Sequence, residues 1–322
     1  MHHHKTIIIA GAGVFGTAMA ERLSWNSDNT VILWSIEEDV VNDINKNHRN
    51  TKYFPTHSLN TSIRATSDKQ IFRAADCVLL VIPSKVILPF TEEIQSLTKE
   101  NCMVINLAKG MSDDGAFITE QIPFPRTASM KGPSFAIEVL HGLPTSFTFG
   151  GKEADYQELK ETILKNTGLY LDYTSDIRSV ELMSILKNMY AIAIGLVSGR
   201  FNSPNVDFLV YTKAVGEMRK FLSLFDCSTE TIFCYCGLGD LGLTSLNDLS
   251  RNRTLGLLMG KGFSIEYSGN SSTVIEGSRT VKLMGEITRE KQVAKDFPLV
   301  QALYRLMYEG ENLNDYMAAV FA

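Results

Sequence analysis

A lysine and an asparagine stand side by side, as Lys187 and Asn188, in the otherwise apolar run LKNMYAIAIG. An ammonium taken out of water needs a counter-charge or gives up its proton. The helical positions three and four residues away are Met183, Ser184, Tyr190 and Ala191, none of them acidic. A desolvated lysine of this kind suits general acid–base work. Asp240, set between glycines and leucines in GLGDLGLT, is the candidate partner. Thr244, four residues later, would present a hydroxyl on the same helical face. The cluster Ser250-Arg251-Asn252-Arg253 is polar and twice cationic. Arginine forks of that sort grip phosphate.

A second set of residues lies nearer the N-terminus. Gly11-Ala12-Gly13-Val14-Phe15-Gly16 is a GxGxxG turn, placed directly after the β-branched run TIIIA and directly before a helical pattern. The first glycine permits a tight turn and the second lets the backbone approach a pyrophosphate. The third allows close helix–strand packing. The helix start then offers free N–H groups to the phosphates. Dinucleotide binding follows. After the second strand come Glu37 and Glu38, either of which could meet an adenosine ribose or merely charge the next helix, and no basic residue is close behind. That pattern leans toward NAD over NADP. Lys109-Gly110 follows MVINL at the carboxyl end of a strand, the edge where open α/β sheets bind ligands. Gly132-Pro133-Ser134-Phe135-Ala136 reads as a turn into a short helix with Pro133 near its first position, whose N–H groups could meet an anion or a ribose.

These residues need elements to position them. Buried strands are expected at Thr6–Ala10, Thr30–Trp34, Cys77–Ile82 and Met103–Leu107, alternating with helices from Val14 to Ser24 and Glu37 to Asn47. Such alternation implies a parallel sheet with right-handed crossovers. After about Asp176 the pattern becomes helical, with stretches at Ser179–Ser198, Asn205–Phe225, Thr273–Arg289 and Pro298–Glu309. The expected fold class is an α/β Rossmann domain with a predominantly parallel sheet, residues 1–178, followed by an all-helical substrate domain, residues 179–322.

Composition narrows the function. The chain has 322 residues, a net charge of -5 and no basic stripe, which argues against nucleic acid or an anionic membrane surface as partner. Its 5 cysteines, Cys77, Cys102, Cys227, Cys234 and Cys236, show no disulfide framework and no zinc spacing. No metal site is expected, and a reducing cytoplasm fits. The start MHHHK lacks the features of a secretory signal, and its histidines are set aside. No run reaches the ~18 uninterrupted apolar residues of a membrane span.

Taken together, GAGVFGTAMA, NHRNTKYFP (47–55), Lys109-Gly110, GPSFAIEV, LKNMYAIAIG, GLGDLGLT, LSRNR and VIEGSRT (from Val274) occur in one order across nearly the whole chain. That order and spacing resemble the NAD(P)-dependent sn-glycerol-3-phosphate dehydrogenases of the soluble bacterial type, and FPLVQALYRLMYEG is similar to their C-terminal helix. The resemblance implies hydride transfer at C2 between glycerol 3-phosphate and dihydroxyacetone phosphate, a homodimer, and a supply of glycerol 3-phosphate for phospholipid synthesis. It implies that Lys187 exchanges the C2 hydroxyl proton and that Lys109 contacts substrate and cofactor. Gly132 and Ser134 would touch substrate, and Ala136 the cofactor. Asn188, Asp240 and Thr244 would surround the glycerol. Ser250, Arg251 and Asn252 would hold phosphate or cofactor. Val274 and Glu276 would border the nicotinamide, and Val14 and Phe15 the pyrophosphate turn. Ile36 stands where many NADP-using members carry histidine or arginine, and Gly199–Asp207 lacks the family's usual glycine-rich pattern. The alternatives are a related reductase of a 3-hydroxy acid or modified polyol phosphate, and a dinucleotide sensor without chemistry.

Overall fold

A computed structural model describes residues 4–109, 111, 115–263 and 276–322. The chain divides into two compact units, Met1–Glu181 and Leu182–Ala322.

The first unit is built on one eight-stranded sheet. Its strands are β1 (Lys5–Ala10), β2 (Asn29–Trp34), β3 (Arg64–Thr66), β4 (Cys77–Leu80), β5 (Met103–Asn106), β6 (Thr127–Lys131), β7 (Thr145–Gly150) and β8 (Leu169–Thr174). The helices between them are α1 (Val14–Leu23), α2 (Glu38–Asn47), α3 (Ser84–Gln95), α4 (Ile118–Gln121), α5 (Ala136–Leu140) and α6 (Glu153–Glu158). Strand order is β3-β2-β1-β4-β5-β6-β7-β8. All neighbours run parallel except β6 and β7. The chain goes outward from β1 to β3 and then returns to the other side of β1 with β4. A topological switch therefore lies between β1 and β4, the place where open sheets leave a crevice at their carboxyl ends.

The period of two along each strand feeds two separate cores. Ile7, Ile9, Leu79 and Ile105 pack on one face, while Ile8, Ala10, Val78, Leu80 and Val104 pack on the other. This is why β1, β4 and β5 are continuous apolar runs. Four strands lacked that signal. β3 has three residues, and β6, β7 and β8 mix Thr, Ser, Lys and Asp with their apolar residues (TASMK, TSFTFG, LYLDYT).

Helix α7 (Ile177–Phe201) contains the division between the units. It is the only described helix long and apolar enough to cross a membrane by length and composition, and that 18-residue window is wholly buried in the protein. The second unit, which has no strand among its described residues, continues with α8 (Pro204–Leu224), α9 (Asp240–Leu246), α10 (Arg251–Gly260), α11 (Glu276–Glu290), α12 (Pro298–Tyr308) and α13 (Leu313–Phe321). The segment Gly199–Asp207 is a tight corner. Asn202 takes a left-handed conformation (φ 47°), Pro204 opens α8, and Ser198 Oγ donates to Asp207 Oδ2 at 2.6 Å.

Two contacts organise this unit. The first is backbone-to-backbone packing of α7 on α10. A Cβ at Gly195 would lie 2.4 Å from the Arg253 carbonyl oxygen, and one at Gly256 would lie 2.1 Å from that of Ile192. Gly199 and Gly260 repeat the arrangement one turn on, against Leu257 and Leu196. The second is Glu217 of α8. Its carboxylate accepts from Tyr190 Oη at 3.0 Å and from the backbone N–H groups of Leu299 (2.7 Å) and Val300 (3.2 Å). It thereby caps α12, whose first residue is a proline without an N–H.

Burial pushes the Glu217 carboxyl up to about 7, against the lowering pull of those donors. The native state then holds a proton that the unfolded chain releases near pH ~4.3. Stability from this group is complete below that value and is lost as pH rises through about 7. The loss is on the order of 3 kcal/mol. Urea unfolding at pH 5 and pH 7.5 is expected to show a larger fall in wild type than in Glu217→Gln. Equal falls in the two proteins would remove this assignment.

Candidate functional site

The glycine turn occupies the carboxyl end of β1, beside the switch. Gly11 has a φ of 115°, and a Cβ there would lie 2.7 Å from the Val81 carbonyl oxygen. A Cβ at Gly16 would lie 1.9 Å from the Gly11 carbonyl oxygen, so α1 approaches the end of β1 only because position 16 lacks a side chain. Gly13 differs: a Cβ there would meet nothing within 4 Å. It caps α1 with no side chain bonding the helix start. The first N–H groups of this ten-residue helix are thus left without a side-chain cap, as a pyrophosphate site requires. Val14 is exposed at the turn, and the Phe15 ring packs edge-on against Phe147 at 6.4 Å. These features fit a dinucleotide.

The two glutamates after β2 are distinguishable. Glu38 lies in the first turn of α2 and accepts from Ser67 Oγ at 2.5 Å. Glu37 precedes that helix, and its carboxylate accepts from the Lys52 ammonium and from Tyr53 Oη (2.9 Å). Along the chain no basic residue follows closely, but the fold supplies one in space, bringing Lys52 back from 15 positions further on.

At the carboxyl ends of β5 and β6 a buried polar brace holds the loop that carries Lys109. Asn106 Nδ2 donates to Glu181 Oε1 at 2.7 Å, and Asn106 Oδ1 accepts from the Ala108 N–H at 2.9 Å. Lys131 Nζ donates to the Asn106 carbonyl oxygen at 2.6 Å, and the Thr119 N–H donates to Glu181 Oε2 at 3.2 Å. Asn106, Lys131 and Glu181 are all buried. Burial raises the Glu181 carboxyl, while the Lys131 charge and the donors pull it down. Lys109 itself is exposed, immediately beyond this brace. Its neighbour Gly110 lies outside the described residues. None of the three brace residues was singled out from sequence. The available signal was a polar side chain closing a strand, Asn106 after the apolar MVI and Lys131 after the mixed TASM.

Gly132 follows β6 and packs so closely that a Cβ would lie 2.4 Å from the Ser146 carbonyl oxygen. Ser134 Oγ turns back to donate to the Gly132 carbonyl oxygen at 3.1 Å. Pro133 does not open the short helix, as its position suggested. Helix α5 starts three residues later at Ala136, because residues 132–135 are used in leaving the sheet.

In the second unit, Lys187 and Asn188 point from α7 toward different partners, about 100° apart on a helix. Lys187 forms an ion pair with Asp240, and both side chains are nearly inaccessible, at 2% and 3% exposure. Thr244 Oγ1 donates to the same Asp240 oxygen at 3.4 Å. Asp240 arrives at the start of α9 after the turn Tyr235–Gly239. There a Cβ on Gly237 would lie 2.1 Å from the Ile232 carbonyl oxygen.

Asn188 joins an amide chain. Its Oδ1 accepts from Asn252 Nδ2 at 3.0 Å, and its Nδ2 donates to Glu276 Oε2 at 3.4 Å. Asn252 Oδ1 in turn accepts from the Gly277 N–H at 3.1 Å. The two arginines of the cluster separate. Arg253 is spent internally, donating to the Ser245 carbonyl oxygen at 2.7 Å and to Ser198 Oγ at 3.2 Å. Arg251 is exposed at the first position of α10 and makes no ion pair with another described residue. Ser250 caps that helix, its Oγ accepting from the Arg253 N–H at 3.3 Å. Val274 lies outside the described residues. Among the described residues no group of three His, Cys, Asp or Glu side chains could hold a metal.

Comparison with known proteins identifies the family. Residues 6–157 match the family model of the NAD-dependent glycerol-3-phosphate dehydrogenase N-terminus, and residues 176–318 match that of its C-terminus. A glycerol-3-phosphate dehydrogenase [NAD(P)+] of Methanothermobacter thermautotrophicus is 32% identical, covering 97% of this chain and 96% of its own. One from Staphylococcus saprophyticus is 31% identical over 96% and 95%. The crystal structure of glycerol-3-phosphate dehydrogenase from Coxiella burnetii superposes with a TM-score of 0.86 at 25% identity, covering 99% of both chains. The chain therefore belongs to the NAD(P)-dependent glycerol-3-phosphate dehydrogenases, an oxidoreductase family.

Proposed function

We propose that this chain interconverts sn-glycerol 3-phosphate and dihydroxyacetone phosphate, with Lys187 exchanging the proton on the C2 oxygen. The observation that carries this reading is the buried Lys187–Asp240 pair beside the Asn188–Asn252 amide chain. A bound nicotinamide supplies the hydride chemistry. The protein must orient C2, exclude water and move one proton.

Held as an ammonium by Asp240, Lys187 donates to the ketone oxygen during reduction and takes the proton back during oxidation. Thr244 keeps the shared Asp240 oxygen in place. Asn188 adds an amide dipole whose orientation is set by Asn252 and Glu276. Arg251 and the start of α10, capped by Ser250, offer a cation and N–H groups to the substrate phosphate. Binding energy at that remote group positions the reacting end. Lys109, Gly132 and Ser134 are assigned to substrate, Lys109 also to cofactor. Gly11, Gly13, Val14, Phe15, Gly16, Ala136, Arg251, Val274 and Glu276 are assigned to cofactor. Glu37, between β2 and α2, favours NAD. The free thiols suit a reducing cytoplasm, where the product would feed phospholipid synthesis. The exposed Phe201, Phe208, Leu209 and Phe321 of the second unit support a homodimer formed through its helices.

Dihydroxyacetone phosphate should drive NADH oxidation, and 3-hydroxy acids should not drive the reverse reaction. Dinucleotide binding without turnover would sink the reading. Lys187→Met should lower kcat by ~10²–10⁴-fold. Because it strands a buried carboxylate, Lys187→Met/Asp240→Leu is the companion, expected to fold and remain inactive. Unchanged turnover in either variant would remove the role of Lys187.

Arg251→Ala should raise KM for dihydroxyacetone phosphate by about 10–100-fold, the range for a lost charge-assisted bond. Comparing KM for the phosphate ester with that for unphosphorylated dihydroxyacetone checks this. Equal effects on both would place Arg251 away from the phosphate.

A further inference from the structure

The loop that follows α2 is tied to the glycine turn. Buried Asn50 donates through Nδ2 to the Ala12 carbonyl oxygen at 2.9 Å and to Thr17 Oγ1 at 2.8 Å. Ala12 lies inside the turn and Thr17 on α1. The N–H groups of Tyr53 and Phe54 both return to the Asn50 carbonyl oxygen, at 3.1 and 2.8 Å. The Phe54 side chain is buried in the core, and the Thr51 N–H donates to Asp43 Oδ2 at 2.8 Å. Residues 50–54 are thus anchored at both flanks of Lys52. The Lys52 side chain stays 47% exposed, and its ammonium rests on Glu37 Oε1.

Glu37 stands where an acidic residue after the second strand meets the adenosine ribose of a dinucleotide. A carboxylate has about four lone-pair sites. Lys52 and Tyr53 use one site on each oxygen and leave room for ribose hydroxyls. The same two donors hold the Glu37 carboxyl below the usual carboxylate range, Lys52 contributing most. A 2′-phosphate would be repelled by a lone glutamate. Here the repelling carboxylate brings its own cation, on a flexible stem, within reach of the same spot.

We propose that Lys52 determines cofactor specificity: it neutralises Glu37 when the ribose carries a 2′-hydroxyl and transfers to the phosphate when the ribose carries a 2′-phosphate. Glu37 selects NAD, and Lys52 keeps NADP acceptable on the same loop. The exchange makes and breaks only ion pairs and hydrogen bonds. It rests on the reading of the glycine turn as the dinucleotide site.

The test is direct binding of NAD and of NADP to the full chain by titration calorimetry, in wild type, Lys52→Met and Glu37→Gln. The readout is the ratio of the two dissociation constants, NADP over NAD, which cancels any loss of folded protein. Lys52→Met is expected to raise that ratio about tenfold, the effect of one charge-assisted contact to phosphate. Glu37→Gln is expected to lower it by a similar factor. A ratio unchanged within about twofold in Lys52→Met overturns the proposal, as does a wild type that binds NAD and not NADP. A wild type that binds neither dinucleotide overturns the underlying reading of the glycine turn and the proposal with it.

Discussion

An ammonium inside an all-round buried helix is the constraint that the second unit is organised to meet. Helix α7 is buried from Ser179 to Ser198, and Lys187 lies in the middle of that stretch. A charge left alone there would cost several kcal/mol. Asp240 answers it, but only because the Tyr235–Gly239 turn runs against Ile232 more closely than any side chain at Gly237 would allow. Replacing such a pair with well-packed apolar residues is often neutral or stabilising. Two nearly inaccessible charges are therefore a poor device for holding helices together, which supports the proton chemistry proposed for them.

The same helix shows how backbone proximity sets side-chain chemistry. Asn188 and Asn252 are both short, so their 3.0 Å bond requires the helix axes to be unusually close. Gly195, Gly199, Gly256 and Gly260 provide that closeness, each meeting backbone of the facing helix. A methyl at any of them would force α10 outward and break the amide chain before it disturbed Lys187. The proposed proton transfer and the proposed phosphate binding thus rest on separate parts of the structure. One hangs on α9 and its kinked turn, the other on the α7–α10 contact and the start of α10.

The legible part of the molecule was whatever is written in consecutive residues. The continuous apolar runs of β1, β4 and β5, the GxGxxG turn and the lone lysine in α7 needed no knowledge of distant contacts. The reasons lie in burial on both faces and in the desolvation of a charge, which act on single segments. Strands β6 to β8 were missed because mixed Thr, Ser and Asp content hides a pleat that only sheet pairing reveals. Arg251 and Arg253 looked alike in SRNR, and helical geometry alone turns one outward and the other into Ser245 and Ser198. Asn106, Lys131 and Glu181 were invisible for a related reason. They come from three separate strands and helices and acquire meaning only where these converge.

The two lysine–carboxylate pairs illustrate why burial, and not residue type, decides what a charge does. Lys187–Asp240 and Lys52–Glu37 are chemically the same contact. In the first, both partners are screened from water, and separation would expose each to the full desolvation penalty, so the pair is fixed. In the second, the side chains are 47% and 29% exposed, and water offsets most of the attraction. A pair of that kind contributes little and opens readily. A fixed ammonium suits the proton transfer proposed for Lys187, which demands one position relative to C2. An ammonium on a weak, exposed pair suits the recognition of an optional phosphate proposed for Lys52, which demands that it be free to leave.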